Sequence, residues 1–168
     1  RLADRLARGI SETNQHVRSL AHGLVPVPID ADSLSPALAE LARSTQETFG
    51  IACEFQLSGP PGISDADTAT HLYRIAQEAL RNATSHSKAT RISIRLGSDN
   101  REVRLEVRDN GVGIPPRHRM HRGVGLKLME HRCSLIGGRF IAESRPDGGT
   151  VVSCTLPVSD VIHPLVSA

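Results

Sequence analysis

Aromatic side chains are almost missing: they make up 2% of the 168 residues, with no Trp, one Tyr and three Phe. A core must therefore be built from Leu, Ile, Val and Ala, and a hydrophobic content of 39% is enough for one. No apolar run approaches the ~20 residues needed to cross a bilayer as a helix. No signal peptide opens the chain. The first residue is Arg1 rather than Met, which reads as a piece of something longer. Charge of one sign is lacking too. The net charge is +2, with acidic and basic residues spread along the chain, and this gives no argument for nucleic-acid binding. Cysteine is scarce: Cys53, Cys133 and Cys154 lie far apart without CxxC spacing. That pattern argues against a zinc site or a disulfide framework and reads as three isolated core thiols in a reduced, cytoplasmic setting. The length of 168 residues suits one domain, or one domain with a short appendage.

The periodicities define an order of elements. Leu2, Leu6, Ile10, Val17, Leu20 and Leu24 recur near helical spacing, and Pro26 and Pro28 stop that helix. A second helix is expected from Ser35-Pro36, a cap followed by proline, to about Gly50. A strand is expected over Ile51 to Leu57, then a long helix from Asp65 to His86. Two strands follow, Arg91 to Leu96 and Val103 to Asp109, joined by a turn at Gly97 to Asn100. A loop rich in Gly, Pro, His and Arg covers Asn110 to Arg122. Another helix runs from Gly123 to Ile136 and is closed by Gly137-Gly138. Strands at Arg139 to Ser144 and Thr150 to Leu156 make a hairpin around Pro146-Asp147-Gly148-Gly149. This order predicts an α+β fold, a two-layer sandwich with a mixed sheet and helices on one face, preceded by a helical segment.

Four local patterns carry chemistry. On the helix from Asp65, steps of 100° put Leu72, Ile75, Ala79 and Ala83 on one apolar stripe, with Asn82 and His86 inside it and Glu78 at its edge. Polar groups on a core-facing stripe are costly unless satisfied. A carboxylate, an amide oxygen and an imidazole suit either a hydrated Mg²⁺ on phosphates or an interior hydrogen-bond network. In the strand Val103 to Asp109, Asp109 keeps the parity of Val103, Leu105 and Val107, so a carboxylate ends the strand on the buried side. There it either reads an exocyclic amine or caps a turn, and Gly111 and Gly113 follow at once. Gly123-Val124-Gly125-Leu126 opens a helix, where free N–H groups and the positive end of the dipole attract phosphate. Thr150 shares parity with Val152, Cys154 and Leu156, so its hydroxyl is expected to point inward.

Together these patterns resemble the ATP-binding domain of the GHKL superfamily, which includes gyrase, Hsp90, histidine kinases and MutL. Glu78-Ala-Leu-Arg-Asn82-Ala-Thr-Ser-His86 resembles the N box, Asp109-Asn-Gly111-Val-Gly113-Ile114 the G1 box, Gly123-Val-Gly125-Leu126 the G2 box, and Gly148-Gly149-Thr150 the terminal Gly-Thr element. Order and spacing agree across about Thr68 to Pro157. Leu20-Ala-His-Gly-Leu24 followed by Pro26, Pro28, Asp30 and Leu34 resembles the end of the dimerisation region in nitrate-sensor-type and DesK-like sensor histidine kinases. The short lid between Ile114 and Gly123, His86, and Met129-Glu130-His131-Arg132 are similar to that group as well.

The resemblance implies a Bergerat fold at 33–158, the end of a dimerisation region and its linker at 1–32, and a tail at 159–168. It implies ATP and Mg²⁺ as ligands, with Asn82 on the metal and Glu78 as the general base towards an acceptor histidine. Asp109 would hold the adenine amine with help from Thr150, and His86 would lie near the phosphates. Gly111, Gly113, Ile114, Gly123, Val124, Gly125 and Leu126 would form the nucleotide-facing backbone. The lid residues Arg117, His118, Arg119, His121 and Arg122 are either phosphate contacts or solvated. The expected partners are the protein's own phosphoacceptor helices, in a homodimer, and a response regulator. One departure matters. The acceptor in that group precedes an acidic residue, whereas His16 precedes Val17 and His22 precedes Gly23, so the acceptor is expected outside this chain. Three other classes compete: a nucleotide-binding regulatory module without transfer, a serine kinase of the same superfamily, and a DNA-associated ATPase, which would need a transducer domain that this sequence does not show.

Overall fold

The computed structural model describes residues 29–59, 62–99, 101–115 and 123–157. The helix expected over Arg1 to Leu24, with His16 and His22, lies outside them, as do the lid residues at 117–122 and the tail at 159–168.

A 3-10 turn at Ala31–Ser33 leads into α1, Leu34–Phe49. The helix thus starts earlier than the Ser35-Pro36 signal implied. Pro36 falls in its first turn, where a backbone N–H would have no helical acceptor, so proline costs nothing there. Gly50 ends α1 in the left-handed conformation, φ 66°, with its N–H on the Gln46 carbonyl. Strand β1 is Ala52–Ser58. Helix α2 is Ala66–His86, capped at its start by Asp65, whose Oδ1 accepts from the Thr68 N–H at 2.7 Å. Strands β2, Arg91–Ser98, and β3, Glu102–Asp109, form a hairpin. Its turn begins later than Gly97 because Asp99 Oδ1 gathers the N–H groups of Arg101 and Glu102 at 2.7 and 2.9 Å. Helix α3 is Val124–Leu135, and strands β4, Arg139–Ser144, and β5, Thr150–Pro157, complete the chain.

The strands form one mixed sheet in the order β1-β2-β3-β5-β4, parallel only between β1 and β2. Alternation along each strand builds one apolar face. Ile92, Ile94 and Leu96 of β2 and Val103, Leu105 and Val107 of β3 are buried, while Arg91, Arg95 and Arg104 on the opposite face are exposed. All three helices cover that apolar face. Leu34 and Leu38 of α1, Leu72 and Ile75 of α2 and Met129 of α3 are fully buried against it. Burying each such side chain is worth about 1.5–3 kcal/mol, so aliphatic packing alone supports the domain without Trp. The expected α+β two-layer fold is what the structure shows.

The cysteines differ from the expectation. Cys133 of α3 and Cys154 of β5 are joined as a disulfide with Cα atoms 6.1 Å apart, and Cys53 is free. Spacing along the chain, 21 residues, hid a pairing that helix-on-sheet packing creates. Burial, and secondarily the neighbouring Glu54, push the Cys53 thiol up to about 11, so it is a poor nucleophile at neutral pH.

Candidate nucleotide-binding site

The ends of the elements, rather than their middles, meet at a cleft. The β3–β5 register sets Val107 opposite Val152 and Arg108 opposite Val151, which carries Asp109 to the level of Thr150. Asp109 is 7% exposed, and its Oδ1 accepts from the Gly111 N–H at 2.8 Å. The turn-capping reading is what the structure shows: one carboxylate oxygen caps the turn, and no hydrogen bond ties the other among the described residues. Gly149, φ 85°, packs straight onto the Asp109 carbonyl, where a Cβ would coincide with that oxygen. Only glycine permits that approach in that conformation.

The loop after Asp109 is fastened from two sides. Val112 N–H donates to the Ser87 carbonyl at 2.8 Å, and a Cβ on Gly111 would fall on that same carbonyl. Ile114 N–H donates to Ser144 Oγ at 2.9 Å, and Gly113, φ 76°, lies against Ser144. Asn110 Oδ1 accepts from both Thr90 and Arg91 N–H groups at 2.9 Å, which binds the α2–β2 connection to the loop. Ser87, Asn110 and Ser144 were not singled out from sequence. Asn at a strand end is a recognisable turn former, but the two serines act across the fold and leave no local signal.

Along α2 the apolar stripe Leu72, Ile75, Ala79 and Ala83 is buried, joined by Ala69, Ala76 and Leu80. Asn82 is half-buried and lines the cleft, and among the described residues its amide makes no hydrogen bond. His86 also lines the cleft but is exposed, not part of the core stripe. It is the last residue of α2 and lies beyond the sheet that buries the earlier turns. Glu78 is not among the lining residues but lies against Gly125, which is. Arg81 grips it with Nε on Oε2 at 2.8 Å and Nη2 on Oε1. A Cβ on Gly125 would land on Glu78 Oε1 and come within 3.3 Å of Asn82 Nδ2. The glycine thus lets the start of α3 lie against both polar groups of α2. Among the described residues no side chain caps α3 at Gly123, which leaves its first N–H groups open to an anion.

The cleft encloses about 920 Å³, near the upper end of ordinary small-molecule pockets of roughly 300–1,000 Å³. Of the residues expected at a site, Asn82, His86, Asp109, Gly113, Ile114, Gly123, Val124, Gly125, Leu126 and Thr150 line it. Glu78 and Gly111 are not among the lining residues; they pack against Gly125 and Ser87, which are. Phe49 and Arg81 line it and were not expected to. Among the described residues no group of three His, Cys, Asp or Glu side chains could cage a metal. One amide oxygen beside free N–H groups instead fits a Mg²⁺ that keeps its waters and shares phosphate oxygens.

Comparisons with known proteins give the family and the fold. Residues 67–160 match the model of the histidine kinase-, DNA gyrase B- and HSP90-like ATPases, more than half of the chain. The chain belongs to that family. It is 33% identical to a sensor histidine kinase, MctS, of Rhizobium johnstonii, over 90% of this chain and 34% of that protein. It is 31% identical to the sensor protein VraS of Staphylococcus saprophyticus, over 92% of this chain and 44% of that protein. It is also 33% identical to the sensor histidine kinase LiaS of Bacillus subtilis, over 88% of this chain and 40% of that protein. The chain therefore spans less than half the length of these relatives. Among solved structures, the fold is shared with the histidine kinase domain of an Erythrobacter litoralis blue-light activated kinase, TM-score 0.60 at 22% identity over 74% of this chain and 61% of that one. It is shared also with the ATP-binding domain of PrrB from Mycobacterium tuberculosis, TM-score 0.57 at 24% identity over 74% of this chain and 93% of that one. No helix among the described residues is long and apolar enough to cross a membrane.

Proposed function

We propose that the chain is the ATP-binding catalytic domain of a two-component sensor histidine kinase and passes the γ-phosphate of ATP to a histidine outside it. The observation that carries this reading is a cleft lined both by a buried carboxylate acceptor and by the start of a helix. Asp109 has an uncommitted carboxylate oxygen beside Thr150, suited to an adenine amine. Asn82, His86 and the start of α3 line the same cleft and are suited to phosphates.

In this reading the glycines bring backbone close to the nucleotide, and Ile114, Val124 and Leu126 shape the cleft around it. Mg²⁺, when present, would neutralise phosphate charge, with Asn82 as its protein ligand. Glu78 would accept the proton of the acceptor imidazole as it attacks; catalysis is otherwise positioning and charge stabilisation. Residues 1–32 would belong to the dimerisation region, 33–158 to the catalytic domain and 159–168 to a tail. The partners would be the protein's own acceptor helices in a homodimer and a response regulator, and the setting cytoplasmic. Calorimetric titration of ATP with Mg²⁺ and in excess chelator tests the reading. Binding that weakens on chelation supports it, and identical affinity in chelator removes the metal role of Asn82.

A further inference from the structure

The start of α3 offers free N–H groups to an anion, yet it rests against the Glu78 carboxylate. A phosphate bound there would face a fixed negative charge at short range, and like charges in a partly enclosed cleft repel. Mg²⁺ would offset part of that repulsion, and a cation of the protein itself would offset more. Among the described residues that line the cleft, Arg81 is the one permanently charged cation; His86 lies two helical turns beyond Glu78. Arg81 holds Glu78 in a fork, through Nε and Nη2. The arginine side chain is 32% exposed and the glutamate 16%, so the arginine is the partner with room to move.

We propose that Arg81 determines specificity for a nucleoside triphosphate over a diphosphate, by turning from Glu78 to the terminal phosphate. Guanidinium recognises phosphate and carboxylate with the same fork, so the exchange conserves its hydrogen bonds. A diphosphate is one phosphate shorter and leaves the Arg81–Glu78 pair closed. A triphosphate opens it, and the Glu78 carboxylate becomes free only when there is a phosphate to transfer. This rests on the ATP-site reading of the cleft.

The test is calorimetric titration, with Mg²⁺, of a non-hydrolysable ATP analogue and of ADP into the wild-type chain, Arg81→Met and Arg81→Lys. The expectation is that Arg81→Met weakens the triphosphate about tenfold more than the diphosphate, because one charge-assisted contact is lost only with the former, while the unopposed Glu78 charge acts on both. Arg81→Lys recovers part of the triphosphate affinity. A wild-type chain that binds neither nucleotide overturns the ATP-site reading itself. A wild-type chain that binds both, with Arg81→Met altering both equally or neither, overturns the role of Arg81 alone. Melting without nucleotide confirms that the variants fold. Should Arg81→Met fail to fold, Arg81→Lys decides: a triphosphate-only loss supports the exchange, and equal change refutes it.

Discussion

Replacing Asp109 by Asn separates recognition from folding. Asp109 is 7% exposed, and its Oδ1 holds the Gly111 N–H at 2.8 Å. An asparagine keeps that acceptor in the same place, so the loop retains its anchor. The bond changes from charge-assisted to neutral, a loss of about 1 kcal/mol. For a domain of this size that lowers Tm by roughly 2–4 °C. The second oxygen becomes an NH₂ donor, which now faces the adenine amine, also a donor. Losing a hydrogen bond to a charged acceptor costs about 1.5–3 kcal/mol, or roughly 10- to 150-fold in ATP affinity. Inosine triphosphate carries a carbonyl in place of the amine and should be tolerated better by the variant than by the wild type. Titration calorimetry with both nucleotides, beside melting curves, measures this. Asp109→Asn binding ATP as tightly as wild type, or losing both nucleotides in equal proportion, would refute the adenine assignment.

Three further substitutions probe the frame. Gly149→Ala forces a Cβ into the Asp109 carbonyl at φ 85°, and the left-handed backbone alone costs about 1–2 kcal/mol; thermal melting should show a drop of several degrees, and an unchanged Tm would mean that the turn relaxes freely. Asp65→Ala removes the cap of α2 and should cost about 1 kcal/mol at neutral pH in denaturant titrations. Hydrogen bonds from the Thr68 backbone and side chain hold the Asp65 carboxyl below its usual range, so its contribution is lost as pH falls through that lowered value, and the gap between variant and wild type should close there. Among the described residues the buried Nδ1 of His71 has no hydrogen-bond partner, and burial, then Arg132, hold its imidazole below its usual range. The unfolded chain therefore takes up a proton near pH 6.5 that the folded one resists, and stability falls as pH drops below about 6.5. His71→Gln should flatten the Tm-versus-pH slope between pH 7 and 5, and parallel slopes would exclude His71 as the cause.

How much of this was legible depended on whether a feature is periodic or tertiary. Parity along β3 and β5 placed Asp109 and Thr150 correctly, because the strand period of two is fixed once one face is buried. The helical wheel placed the α2 stripe correctly but overstated His86, since a wheel treats every turn as covered and α2 outlasts its cover. The pairing of Cys133 with Cys154 had no local signal, because it arises only where α3 lies on β5. Phe49 reaches the cleft through the packing of α1, which no spacing reports. Arg81 differs: it stands three residues after Glu78, a spacing that pairs side chains on any helix, and it could have been read.

The central claim is that the cleft between α2, α3 and the ends of β3 and β5 holds ATP. A crystal structure of the chain with Mg²⁺ and a non-hydrolysable ATP analogue tests it most directly. The account predicts the adenine amine within hydrogen-bond distance of Asp109, and the phosphates between Asn82 and the first N–H groups of α3. Well-ordered nucleotide bound elsewhere, with this cleft filled only by water, would contradict it.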